Sequence, residues 1–187
     1  MADPLKAKDD AANRRTLLQL IAVGGSAVLA SYLLAFVPEV GAELWGGIPE
    51  GPVRSLYTIN MFLAAFGFFP ASYWLVWATP ASALRERTGF GFESLLLLYA
   101  AILMASALWL PLTALHATSP SLPLWLAIRA VLLVVGLAAT TLHFLLFRLA
   151  RHGPRSVWFA VAVFFFFWLQ TMVLDALVWP HYYSIGA

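Results

Sequence analysis

The chain has no cysteine. That excludes disulfides, thiolate zinc sites, iron–sulfur clusters and cysteine nucleophiles at once. Lysine is almost missing: Lys6 and Lys8 are the only two, both before the first apolar run, so no retinal-type Schiff base can form within a membrane. Only 11% of the 187 residues are charged, against about 25% in an ordinary soluble domain. No His, Asp or Glu cluster has metal-ligand spacing, no glycine-rich strand-to-helix loop offers a phosphate cradle, and no serine sits in a nucleophile elbow. These absences argue against an ATP-driven pump and against the familiar hydrolases. Pro70 and Pro111 interrupt apolar runs, but no second, repeated half accompanies them as in ion-coupled transporters.

What the sequence does have is apolar surface. Hydrophobic residues make up 62% and the mean hydropathy is +0.84. A soluble protein of this length could not bury so much, so lipid must serve as solvent for much of the chain. Five runs stand out, at residues 16–37, 56–78, 94–117, 122–147 and 157–179. About 20 apolar residues of helix cross a hydrocarbon core about 30 Å thick. Backbone groups cannot stay unpaired there, so each run is expected to be helical. The runs do not alternate polar with apolar as barrel strands do. The expected fold is an all-α, polytopic transmembrane bundle of about five spans. Residues 1–15 form a hydrophilic N-terminal segment, residues 16–180 the membrane domain and residues 181–187 a short tail. The first run is longer than a signal-peptide core and reads as a retained span.

Orientation follows from basic residues. Lys6, Lys8, Arg14, Arg15, Arg85, Arg87, Arg148, Arg151 and Arg155 all fall on one side of a five-span chain, and only Arg54 falls on the other. Positive-inside bias then places the N-terminus in the cytoplasm and the C-terminus outside. The net charge of +2 is explained by this pattern and is no sign of a nucleic-acid partner. An Ala-, Leu- and Arg-rich, Lys-poor composition leans towards a bacterial inner membrane.

Two charges lie well inside runs, Arg129 and Asp175. Such charges are costly and usually face the bundle interior in pairs. At 1.5 Å per residue, Arg129 lies about 10 Å and Asp175 about 7 Å from the outer ends of their runs, so a pair between them is expected. Polar and small residues recur at helical spacing in four runs. They are Asn60, Gly67, Ala71 and Trp74; Ser106, Trp109, Thr113 and His116; Arg129, Gly136, Thr140 and His143; and Trp168, Thr171 or Met172, Asp175 and Trp179. Asn60, Thr113, His116, Arg129 and Asp175 fall in the outer half. They either line a cavity beneath the 38–55 loop or act as interhelical glue. His116 and His143 lie near opposite membrane faces and cannot share one haem. The small residues Ala22, Ser26 and Ala30, beside Gly25, suggest close helix approach within the molecule. Trp45, Trp125, Trp158 and Trp179 fit an interfacial belt; Trp109 and Trp168 lie too deep for it.

Several local patterns resemble the translocator proteins, also called tryptophan-rich sensory proteins. They are GPVRSLY (Gly51 to Tyr57), SYWLVW (Ser72 to Trp77), Tyr99 with ALWLP (Ala107 to Pro111), the small stretch Ala138 to Thr141, and Trp168…Leu174-Asp175…Trp179. Helix order and position agree over roughly residues 51–180. The chain departs from the family where Trp45 stands without a Trp-x-Pro-Pro element and where Asp175 replaces an asparagine. The resemblance implies five spans and a cavity, covered by the first loop, for a porphyrin, sterol or similar flat lipophile. Trp109 and Trp168 map onto the family's pocket tryptophans and Asp175 onto its asparagine. Physically, tryptophan faces would stack on a flat ring, and Arg129 could pair with a ligand carboxylate.

The ligand-binding residues expected from the stripes and the resemblance taken together are Asn60, Trp109, Thr113, His116, Arg129, Trp168 and Asp175. The ligand would be a lipophilic small molecule, with porphyrin the candidate; no resident cofactor and no catalytic set is indicated. The competing reading is a small structural or accessory subunit of a larger membrane complex. Membrane lipids are partners either way, and a homodimer or other membrane subunits remain open. A membrane enzyme would need paired acid–base groups, for which only Asp175 and His116 offer themselves.

Overall fold

A computed structural model describes residues 4–183; the ends of the expected N-terminal segment and C-terminal tail, residues 1–3 and 184–187, lie outside it. Apolar helices dominate, and among the described residues five are long and apolar enough to cross a membrane: Asp10–Phe36, Pro52–Ala78, Phe92–Thr118, Leu122–Arg151 and Val157–Tyr182. The protein is an all-α, multi-pass integral membrane protein.

In chain order, α1 (Pro4–Ser31) tightens into a 3₁₀ segment, Tyr32–Phe36. A short helix α2 (Pro38–Leu44) follows in the first loop. The second span is α3 (Pro52–Ser72), continued as a π-helix over Tyr73–Ala78. A connecting helix α4 (Ala81–Thr88) leads to α5 (Phe92–Thr118) and α6 (Leu122–Arg151). The last span begins as α7 (Val157–Trp168), widens to a π-helix over Leu169–Val178 and ends in α8 (Trp179–Tyr182). Helices α2 and α4 were not expected, because each is a short piece inside a joint read as loop.

The helix starts and stops have local causes. Pro52 and Pro123 sit in first turns, where a missing N–H costs nothing. Ser121 caps α6 by accepting from the Leu124 N–H. Pro70 removes one hydrogen bond from α3, and the wider π turn begins three residues later. That turn ends at Thr79, which is extended (φ −104°, ψ 123°) as a residue before proline prefers.

The spans do not pack in chain order. The first lies against the third, the third against the fourth, the fourth against the fifth and the fifth against the second, so the ring runs one, three, four, five, two. Two crossings depend on glycine. A Cβ on Gly67 would run into the Val163 carbonyl, and one on Gly136 would lie 2.9 Å from the Met172 Cα. Lipid gives helices no hydrophobic reason to associate, so close backbone contact has to supply the attraction.

On α1, it is Gly24 that abuts Leu103 of α5. Ala22, Ser26 and Ala30 point outward, contrary to the expected role in internal packing: α1 has a single main neighbour, and that neighbour takes the opposite face. The main core gathers Leu75, Tyr99, Leu142, Leu145 and Phe164. In it the Tyr99 hydroxyl donates to the Ser72 hydroxyl oxygen at 2.9 Å. A second, smaller core closes the loop end around Ile48, Tyr57, Ile128, Trp179 and Tyr183.

Candidate functional site

The loop end holds two connected groups of side chains. The first is a polar chain between the second and fifth spans. The Asn60 amide Nδ2 donates to the Phe166 carbonyl at 3.1 Å and to Gln170 Oε1 at 2.9 Å. Gln170 Nε2 in turn donates to Asp175 Oδ1 at 2.8 Å. The Tyr57 hydroxyl donates to the Leu174 carbonyl at 3.0 Å, beside the aspartate.

Gln170 and Asp175 meet only because the helix is wide here. At 3.6 residues per turn, positions five apart lie about 140° from each other. In a π-helix the bonded ring spans five residues: the Trp179 N–H reaches the Leu174 carbonyl, and side chains five apart face one way. π-helical turns occur frequently at functional sites.

The second group is aromatic. Trp109 of α5 meets Tyr32 edge-on at 6.3 Å and Trp179 at 6.0 Å. Trp179 stacks on Tyr183 with ring centroids 4.3 Å apart. The Tyr183 hydroxyl hydrogen-bonds His116 Nδ1 at 2.8 Å. The Trp125 Nε1–H donates to the Tyr183 carbonyl, tying in the start of α6. The first loop lies across this group. Trp179 Nε1–H donates to the Leu44 carbonyl at 2.9 Å, and Ile48 is buried. Arg54 braces the loop by donating to the Ile48 carbonyl, pairing with Glu50 and lying 5.1 Å over the Trp45 ring.

The two groups touch: Leu174 and Ala176, on either side of Asp175, pack on the aromatic cluster. Two buried ring nitrogens at this end have no hydrogen-bond partner: Trp109 Nε1 and His116 Nε2. Buried polar groups are satisfied in about 90% of cases or more. The two exceptions lie on one face of α5.

The expected site residues divide accordingly. Trp109, Thr113 and His116 share a buried face of α5, although the Thr113 hydroxyl already donates to the Trp109 carbonyl. Asn60 and Asp175 join through Gln170, which the sequence reading missed. Arg129 is exposed and lies 4.4 Å over the Trp125 ring. The expected Arg129–Asp175 pair does not form: the ion pairs among the described residues are Arg54–Glu50 and Arg85–Glu93. Arg129 sits on the outer face of α6, whose inner face at that level is Ile128 and Leu132. Trp168 lies elsewhere too, donating to the Thr140 hydroxyl at 3.0 Å beside the His143 ring. Trp179 was read as a belt residue, yet it is only 3% exposed, because the first loop folds down over it.

The Gln170–Asp175 contact is testable by a double-mutant cycle. Both side chains belong to the fifth span, and a side-chain hydrogen bond contributes about 0.5–1.5 kcal/mol, with bonds to charged groups higher. A cycle of Gln170→Leu and Asp175→Leu, read by unfolding in detergent, is expected to give a coupling of about 1–2 kcal/mol. Additive single changes would mean that the two side chains do not meet.

No protein-family model, curated protein or solved structure matches the chain. Any functional reading therefore rests on the sequence pattern and the loop-end geometry.

Proposed function

We propose that this integral membrane protein binds a flat lipophilic ligand, of the porphyrin or sterol kind, at the loop end of the bundle, in the manner of the translocator proteins it resembles. The observation that carries the reading is the pair of buried, unpartnered ring nitrogens, Trp109 Nε1 and His116 Nε2, in an aromatic wall next to Asp175. Aromatic faces give a flat ring its contact area, and the Trp109 N–H offers a donor to a polar group at the ring's edge. The loop over residues 38–51 acts as the cover. Positive-inside bias puts the arginine-rich end in the cytoplasm and this site on the outer side of a bacterial inner membrane.

Tryptophan fluorescence titrated with protoporphyrin tests the reading on the purified protein in detergent. Saturable quenching at micromolar ligand is expected. Trp109→Phe and His116→Leu each remove a polar contact, worth about 1–1.5 kcal/mol, and are expected to weaken binding about five- to tenfold. Trp168→Phe and Arg129→Gln, which lie apart, are expected to leave the affinity unchanged. Linear quenching, the same in every variant, would mean partition into the micelle. The structural-subunit reading would then take over, and one observation favours it: only 6% of the apolar window of the first span is buried, leaving most of α1 open to a neighbouring membrane protein.

A further inference from the structure

The opposite, arginine-rich end carries a cleft of its own. Helix α4 tucks under the end of α6, held by the fully buried Leu84 and Thr88 and by Leu149 and Ala150 of α6. The Thr88 hydroxyl donates to the Leu84 carbonyl at 2.7 Å and accepts from the Phe90 N–H at 3.1 Å, which fixes the turn after α4. Between α4 and α6 lies a cleft of about 340 Å³ lined by Glu86, Arg87, Arg148 and His152. That volume is within the usual range for small-ligand sites, about 300–1,000 Å³.

The charges around the cleft are unequal. Arg85 is engaged by Glu93 at 2.9 Å. Arg87 and Arg148 have no such partner: neither takes part in the ion pairs among the described residues. The half-buried Arg87 lies along the backbone near Gly153, since a Cβ placed there would meet its Nη1 at 3.3 Å. Two guanidinium groups and one carboxylate, Glu86, thus line a small concavity. His152 adds a ring N–H donor even when neutral. Guanidinium forks match phosphate oxygens in a bidentate fashion.

The surroundings favour a lipid over a free ion. The Arg148 guanidinium lies 5.9 Å from the Phe144 ring, and Phe144 and Phe147 are exposed on α6 just inside the span. A phosphate in the cleft therefore has an apolar flank beside it on which acyl chains can lie. Basic pockets between transmembrane helices are known to take anionic headgroups.

We propose that the Glu86–Arg87–Arg148–His152 cleft binds the phosphate of an anionic phospholipid, anchoring the arginine-rich end to its leaflet. The test is thermal unfolding of the full chain in neutral detergent, followed by intrinsic fluorescence. Phosphatidylglycerol, phosphatidylcholine and inorganic phosphate are titrated separately. Phosphatidylglycerol is expected to raise Tm saturably and phosphatidylcholine to have little effect. Arg87→Gln with Arg148→Gln is expected to weaken the phosphatidylglycerol response tenfold or more, whereas Arg155→Gln, outside the cleft, leaves it unchanged. Glu86→Gln removes the opposing charge and is expected to tighten binding about threefold, a gain that misfolding could not produce. An equal response to both lipids overturns the proposal, as does equal weakening by Arg155→Gln. Saturable binding of inorganic phosphate that displaces phosphatidylglycerol and shares its variant profile would replace the lipid by a free anion.

Discussion

Replacing Gly67 by leucine is expected to abolish assembly of the bundle. The Cβ site of Gly67 is occupied by the Val163 carbonyl, with the Phe164 nitrogen 3.2 Å away. Overpacking against side chains costs about 1–3 kcal/mol, because side chains can turn aside. A backbone carbonyl inside a helix cannot, so α3 and α7 must part along their length. The crossing also sets the depth of Asn60 against Gln170, so the polar chain would break with it. Loss of the monodisperse fraction on size-exclusion chromatography is the expected result. Even Gly67→Ala should lower Tm measurably. Gly25 is the control, since a Cβ there meets nothing within 4 Å, and Gly25→Ala should be silent. A Gly67→Leu protein with unchanged Tm would show that the two helices do not cross here.

Gly46→Val is expected to free the first loop while leaving the spans assembled. Gly46 has φ +56°, a left-handed conformation that costs an L-residue about 1–2 kcal/mol and is worse for a β-branched side chain. Its Cβ would also lie 2.9 Å from the Trp179 ring. Adding the Trp179–Leu44 hydrogen bond, about 1 kcal/mol, brings the loss to roughly 3 kcal/mol. That corresponds to about a hundredfold rise in the open population. Hydrogen exchange of the amides in residues 44–48 should accelerate by a similar factor, with α5 and α6 unaffected. Exchange unchanged in the loop would mean that Gly46 is not pressed against Trp179.

Much of the fold could be read from the sequence, because spanning helices are dictated by lipid rather than by subtle packing. The unbroken apolar runs gave the five spans directly. The α5 stripe of Ser106, Trp109, Thr113 and His116 also held, since α5 stays α-helical through Pro111. The fifth-span stripe did not. A 3.6-residue period aligned Trp168 with Asp175, but the π segment between them turns Trp168 towards Thr140 and brings Gln170 to Asp175. One signal was available: a glutamine inside the phenylalanine-rich fifth run needs a polar partner wherever it lies. Arg129 was misplaced for a different reason. Depth along a helix says nothing about which side faces inward, and at that level α6 turns its aliphatic side to the core. Trp179 was assigned to the interface because the loop that buries it has no regular pattern of its own.

The order of the ring has a consequence for how the protein is made. Spans emerge from the ribosome one to five, and a helix inserted in lipid can wait, stable but alone, until its neighbours arrive. The second span finds its principal partner, the fifth, only after the third and fourth have emerged; the first must wait for the third. Until then the polar Asn60 and the bare backbone at Gly67 face lipid or surrogate partners. The five-span ring therefore closes with the fifth helix, and chains stalled before residue 157 would leave span two as the exposed element that quality-control proteases of the membrane can recognise.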